Sequence, residues 1–223
     1  MTRDAATAPG AHYLYLHGFS SGPTSTKARH FRAWFAARGL DVLVPDLNRP
    51  DFGHLTFTGA LHAIEATVAP HRDGHPWRVM GSSMGGYLAG YWAQTHAAEV
   101  DALVMLCPGF ELAQRWPALL GPERMATWRQ TGWLPFPDVT DTPTPVWWQF
   151  CEDSLRYPGV PEPRCATTIV HGTRDETVPI EGSRTYAAAR PHVELIEIDD
   201  DHGQKASFPA LERAVAARFG LVR

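Results

Sequence analysis

Gly81-Ser82-Ser83-Met84-Gly85 is the stretch on which the reading of this chain turns. Before it stands the run Trp77-Arg78-Val79-Met80, and after it the helical pattern Tyr87-Leu88-Ala89-Gly90-Tyr91-Trp92. The order is strand, sharp turn, helix, which is the setting that gives a G-x-S-x-G pattern meaning as a nucleophile elbow. Such a turn strains the central serine and lifts its hydroxyl clear of the sheet. Glycines two before and two after it keep side chains out of the strand-helix crossing. The register centres on Ser83, not Ser82. Alone, the pentapeptide is a weak signal, because small residues fill many tight turns. Its weight depends on whether an acid and a histidine follow in order.

The acid candidate comes after Thr167-Thr168-Ile169-Val170, a β-branched run that reads as a buried strand. The run leads into His171-Gly172-Thr173-Arg174-Asp175-Glu176-Thr177-Val178-Pro179. Asp175 falls in the loop at the carboxyl end of that strand, where open α/β sheets gather functional groups. Aspartates also cap turns without any chemistry, and Glu176 is a rival one residue on. The histidine candidate follows the alternating run Val193 to Ile198. His202 comes after Asp199-Asp200-Asp201 and before the helical pattern from Ala206 to Phe219. One of those three aspartates is an alternative to Asp175 as its partner.

Acyl transfer at a serine needs two N–H groups aimed at the developing oxyanion. The residue after the nucleophile, Met84, supplies one. The other is expected from the loop after the first strand-like run, Tyr13-Leu14-Tyr15-Leu16, which ends in His17-Gly18-Phe19. Phe19 is the first choice and Ser20 the second. His17 reads as a brace for that loop.

These motifs carry a family resemblance. The stretch from Tyr13 to Ala28, with His17-Gly18-Phe19, Ser20-Ser21, Ser25 and Lys27-Ala28, resembles the small bacterial esterases of the YqiA type, as does Gly81 to Gly86. The stretch His171 to Pro179 is similar to that of mitochondrial abhydrolase thioesterases, which remove acyl groups from protein cysteines. The resemblance covers nearly the whole chain and identifies it as a serine hydrolase of the α/β-hydrolase superfamily. It implies Ser83, Asp175 and His202 as a catalytic triad with Phe19 and Met84 at the oxyanion hole. It also implies a carboxylesterase acting on acyl esters. An acyl thioesterase or a peptidase on the same scaffold is the alternative. A dehalogenase would need a carboxylate at position 83. A binding module without catalysis would have no use for all three groups.

The bulk composition agrees. The chain has 223 residues, 44% of them hydrophobic and 20% charged, with a net charge of −4. That suits one domain, residues 1–223, and gives no bulk attraction to nucleic acid. No run reaches the ~18 apolar residues of a membrane helix. Met1 to Gly10 lacks an apolar signal core and is expected to fray. A cytoplasmic protein is expected, and a bacterial one from the Lys-poor usage, Lys27 and Lys205 being the two lysines. Cys107, Cys151 and Cys165 show no C-x-x-C spacing. No H-E-x-x-H or glycine-rich phosphate loop occurs, so no metal or cofactor is expected. The expected partner is a small acyl ester or thioester; oligomeric state is not readable from the sequence.

Strand-like runs near 12–17, 41–45, 77–82, 100–107, 166–171 and 193–198 alternate with helical patterns near 25–38, 55–70, 84–97, 181–189 and 206–219. The alternation predicts a minimal α/β fold of about six mostly parallel strands with helices on both faces. Residues 108–162 break it. They hold Trp116, Trp128, Trp133, Trp147 and Trp148 and many prolines. A helix-like piece is expected at Pro122 to Gln130. Extended pieces at Gly132 to Pro137 and Pro145 to Phe150 are expected to pair around Asp138 to Thr142. This insertion reads as a cap whose aromatics line an acyl pocket, fill a second small core, or do both.

Overall fold

Successive side chains of a strand point to opposite faces, and in this sheet both faces are apolar. The computed structural model describes residues 10–221, so the expected fraying of the first ten residues lies, Gly10 apart, outside them. Five strands form one parallel sheet: β1 (His12–Leu16), β2 (Trp77–Ser82), β3 (Val100–Leu106), β6 (Ala166–Gly172) and β7 (Val193–Ile198), in the order β1-β2-β3-β6-β7. Leu14, Leu16, Val79, Leu103 and Met105 face one core, with α2 (Phe57–Val68) and α3 (Met84–Thr95). Tyr13, Tyr15, Met80, Val104 and Leu106 face the other, with α1 (Thr26–Ala36) and α7 (Phe208–Arg218). The sixth helix, α6 (Glu181–Ala188), adds Tyr186 to the first core.

The expected strand at 41–45 is not one. It makes a single parallel bridge, Leu14 to Leu43, with Tyr15 N–H on the Leu43 carbonyl and Leu43 N–H on the Tyr13 carbonyl, both 2.8 Å. Pro45 follows two residues later and has no N–H to extend the ladder. The sheet therefore has five strands where about six were expected.

Between β3 and β6 the chain forms α4 (Leu112–Thr131), the antiparallel pair β4 (Trp133–Pro137) and β5 (Pro143–Trp147), and α5 (Gln149–Ser154). Gly121, with φ of 76°, kinks α4, and the expected helix-like piece is its second half. The hairpin closes on Asp138, whose Oδ1 takes the N–H groups of Thr140 and Thr142 at 2.7 and 3.1 Å. The second extended piece runs over 143–147, not 145–150: Phe150 belongs to α5, which turns its ring inward against Phe19 and Phe57.

Leu134, Phe136 and Val146 point inward; Trp133 and Trp147 face solvent at 41% and 42% exposure. Trp116, Trp128, Phe136 and Phe150 are buried and pack on one another, and all but Trp128 on Phe19, with ring centroids 5.1–6.0 Å apart in the pairs Phe19–Phe150, Trp116–Trp128 and Trp116–Phe150. The separate small core is not what forms: these four are buried in the core that the sheet shares with α2 and α3. No helix among the described residues is long and apolar enough to cross a membrane.

Trp128 is wholly buried and its indole N–H donates to the Val146 carbonyl at 2.8 Å. Trp128→Ala is expected to cost about 3–5 kcal/mol of stability in urea unfolding. Exposed Trp133→Ala should stay within about 0.5 kcal/mol of wild type.

Candidate active site

Parallel register brings the carboxyl ends of all five strands to one edge: Leu16 pairs with Gly81, Ser82 with Leu106 and Gly172 with Ile198. The loops carrying Phe19, Ser83, Asp175 and His202 leave from that edge, as the fold class demands of a functional site.

Ser83 joins β2 to α3 with φ of 56° and ψ of −120°, a conformation that non-glycine residues adopt at a cost. The flanking glycines have a steric reason. A Cβ on Gly81 would lie 2.1 Å from the Gly85 carbonyl oxygen. One on Gly85 would lie 2.2 Å from that of Leu16 and 2.4 Å from that of His17. The Ser83 carbonyl accepts from Gly109 and Tyr87 N–H at 2.9 and 3.0 Å, which fixes the turn from above and below. Ser83 does not cap its own helix, and among the described residues its hydroxyl makes no hydrogen bond. Nor does any hydrogen bond take the N–H of Met84 or of Phe19 among them. Gly18 runs past the serine so closely that a Cβ there would stand 3.3 Å from Ser83 Cβ and 3.9 Å from its Oγ.

His17 is buried and holds the Phe19 loop. Its Nε2 accepts from Leu47 N–H at 3.0 Å, so Nδ1 carries the proton and donates to the Gly18 carbonyl at 3.0 Å. Burial lowers its pKa, which keeps the ring neutral in this brace.

Asp175 and His202 meet. His202 Nδ1 donates to Asp175 Oδ2 at 2.7 Å, which leaves the lone pair on Nε2. Asp175 Oδ1 accepts from the N–H groups of Thr177 and Val178 at 2.9 and 2.7 Å. Burial alone would raise the Asp175 pKa. Hydrogen bonds from His171, His202 and Val178 outweigh it and hold the carboxyl far below the usual range. The rival acids are occupied elsewhere or exposed. Glu176 faces solvent and Asp199 pairs with Arg174 at 2.7 Å. Asp200 accepts from Asp201 N–H at 2.8 Å, and Asp201 accepts from Gly203 N–H at 2.7 Å. The His202 loop rides against β6 over Gly172, where a Cβ would come within 2.4 Å of the Asp200 carbonyl oxygen. The structure does not place Ser83 in a hydrogen bond with His202.

Four further residues shape the site, and the motif reading passed over their roles. Buried His171 reaches Asp175 Oδ2 at 3.3 Å. Its Nε2 donates to the Val178 carbonyl at 2.8 Å, and its Nδ1 meets Ser183 Oγ at 2.8 Å. Cys107, His171 and Asp175 place ligand-type atoms within 4.8 Å of one another. Yet His171 spends both nitrogens on hydrogen bonds, Asp175 is saturated and burial pushes the Cys107 thiol up. The group is a hydrogen-bonded support for Asp175 and does not fit a metal. Lys27 and Gln204 lie beneath the His202 loop, with the Gln204 amide donating to the Val170 carbonyl at 2.9 Å. Arg115 donates to the Thr177 carbonyl at 2.6 Å, tying α4 to the acid's loop. A signal for Lys27 was present: it is one of two lysines, and it sits next to Ala28 on the apolar side of α1. The rest depend on contacts between distant segments.

Beside His202 opens a groove of about 470 Å³ lined by Arg174, Glu176, Thr177, Asp201, Gly203 and Lys205. Its walls are polar and of mixed charge.

A match to the uncharacterised protein family UPF0227 spans residues 12–218. Alpha/beta hydrolase domain-containing protein 10 from mouse superposes with a TM-score of 0.77 and 19% identity over 97% of this chain and 92% of that one. Est1E from Butyrivibrio proteoclasticus, solved with ferulic acid bound, superposes with a TM-score of 0.79 and 20% identity over 96% and 90%. These likenesses establish the α/β-hydrolase fold.

The Asp175 carboxyl titrates lower in the folded chain than its ordinary value of about 3.9. Its contribution to stability is therefore complete above that pH and is lost as pH falls toward the folded value. The stability gap between wild type and Asp175→Asn should be widest at neutral pH and narrow below about pH 4 in urea titrations. A gap independent of pH would contradict the assignment.

Proposed function

This chain belongs to the UPF0227 family, to which the YqiA-type resemblance points, and from that premise we propose that it is a serine carboxylesterase. The proposal takes residues 1–223 as one α/β-hydrolase domain with 108–162 as its cap. One observation carries it: His202 donates Nδ1–H to a carboxylate saturated with donors, and a serine held at positive φ leaves the same sheet edge.

In this reading His202 Nε2 takes the proton of Ser83 Oγ as the oxygen attacks the acyl carbonyl. Asp175 fixes the tautomer and offsets the charge of the imidazolium that forms. The N–H groups of Met84 and Phe19 hold the oxyanion; their lack of other partners among the described residues supports the choice. Ser20, with φ of 54°, stands next in the loop as the alternative donor. His202 then gives its proton to the leaving oxygen, an acyl-enzyme remains, and water attacks it by the same route. Every proton transfer uses groups of this chain.

The substrate side is narrowed by what fills the cap. Trp116, Trp128, Phe136 and Phe150 are spent on one another and on Phe19. Aromatics so committed leave little apolar lining for a long acyl chain, which favours short-chain esters.

Ser83→Ala is expected to abolish covalent labelling by a fluorophosphonate and to lower ester turnover by a factor on the order of 10⁴ or more. Labelling that survives the substitution places the nucleophile elsewhere. In a p-nitrophenyl series from acetyl to palmitoyl, kcat/KM should be highest for the short esters. A preference for acyl thioesters would replace the esterase reading by the thioesterase one, on the same triad.

A further inference from the structure

We infer that Lys27 is a positioning residue for this site: its ammonium group ties the end of the strand that carries Ser83 to the loop that carries His202. The inference deepens the esterase reading and rests on it for what the tie accomplishes.

Lys27 is the second residue of α1, on the opposite side of the sheet from the cap. Its Nζ donates to three oxygens: Ser82 Oγ at 3.0 Å, Gln204 Oε1 at 3.3 Å and the His202 carbonyl at 3.4 Å. An ammonium has three N–H donors, so the set of partners uses all of them. Ser82 is the neighbour of Ser83 and is buried. Gln204 is wholly buried, adopts φ of 51°, and is locked to β6 by its amide on the Val170 carbonyl. The two groups that must exchange a proton thus belong to segments 119 residues apart in sequence (202 − 83), and one side chain spans both.

No carboxylate comes within 4.0 Å of the ammonium among the described residues, so this is a partly buried cation held by neutral oxygens. Burial lowers its pKa, and Cys107, Asp175, Asp200 and Asp201 act against that from the surrounding loops. Burying a charge without an ion partner is unfavourable. A methionine would cover the same apolar surface of α1 at no such cost. A local rule broken at the back of a reaction centre is where a functional constraint is expected. The ammonium also adds positive potential beneath the site without touching the reacting atoms.

The test uses the full chain with Lys27→Met, which keeps length and removes all three donors, and Ser82→Ala, which removes the shortest contact only. Two quantities are read: kcat and KM on the best p-nitrophenyl ester, and the far-downfield proton NMR signal of His202 Nδ1–H, assigned by its loss in His202→Ala. Lys27→Met should lose roughly ten- to a hundred-fold in kcat with KM within about two-fold, because misplacement of reacting groups acts on turnover more than on binding. Its Nδ1 proton signal should broaden or disappear while the melting temperature holds or rises. Ser82→Ala should move the same way by less. Unchanged kcat and an unchanged Nδ1 signal in folded Lys27→Met overturn the inference, as does an activity loss that matches a loss of folded protein. If Lys27→Met does not fold, the same outcomes in Ser82→Ala decide. A wild type that cleaves no ester sinks the esterase reading alone; the Nδ1 signal still decides whether Lys27 holds the His202 loop.

Discussion

Among the described glycines, Gly81 and Gly85 have the least room, at the crossing of β2, α3 and β1 where backbone meets backbone. Neither position has room for one carbon more: added Cβ atoms would sit 2.1 and 2.2 Å from carbonyl oxygens. Because the obstacles are main chain, no side-chain rotation could relieve them. The consequence spreads outward. α3 can start directly over the carboxyl end of β1, with Gly85 against the Leu16 and His17 carbonyls. The serine at the joint is forced to positive φ and stands out from the sheet rather than lying in it.

The opposite half of the site is organised by charge instead of steric closeness. Asp175 collects donors from His171, His202, Thr177 and Val178, and each serves a different purpose. The two main-chain donors set the loop's shape and His171 supports the carboxylate from within the fold. Of the two imidazoles, His171 is buried and His202 is partly open to solvent. A carboxylate so surrounded stays ionised through the working range of a hydrolase, so it can orient an imidazole without competing for its proton.

How much of this the residues disclosed differs by element. Strands β2, β3, β6 and β7 were legible because runs such as Leu103-Val104-Met105-Leu106 are apolar on both faces, as central parallel strands must be. The 41–45 segment was misjudged: its composition is strand-like, but strand formation depends on what a neighbour offers, and Pro45 truncates the ladder. Phe150 falls in the expected extended piece from Pro145; its helical turn goes with packing on Phe19 and Phe57, contacts of long sequence separation. The pairing of His202 with Asp175 rather than with its own neighbours Asp199 to Asp201 was open in the sequence. Those three aspartates are drawn to Arg174 and to nearby main-chain N–H groups, which only coordinates reveal. Lys27 stood out as one of two lysines, but its partners Ser82, Gln204 and His202 lie in distant segments that the sequence does not bring together.

The outward face of the β4–β5 hairpin has a consequence for how the chain behaves in a crowd. Prolines cannot exchange hydrogen bonds, so the pairs Pro135–Pro145 and Pro137–Pro143 fall at the non-bonded positions of the ladder, together with Trp133–Trp147. At those positions any N–H points away from the partner strand, toward the open edge. Four of the six residues concerned are proline, and the N–H of Trp147 is taken by the Gly53 carbonyl at 2.9 Å. A foreign strand would thus find two exposed indoles but almost no main-chain donors. The hairpin can present aromatic surface while being chemically unable to act as a template for β-assembly.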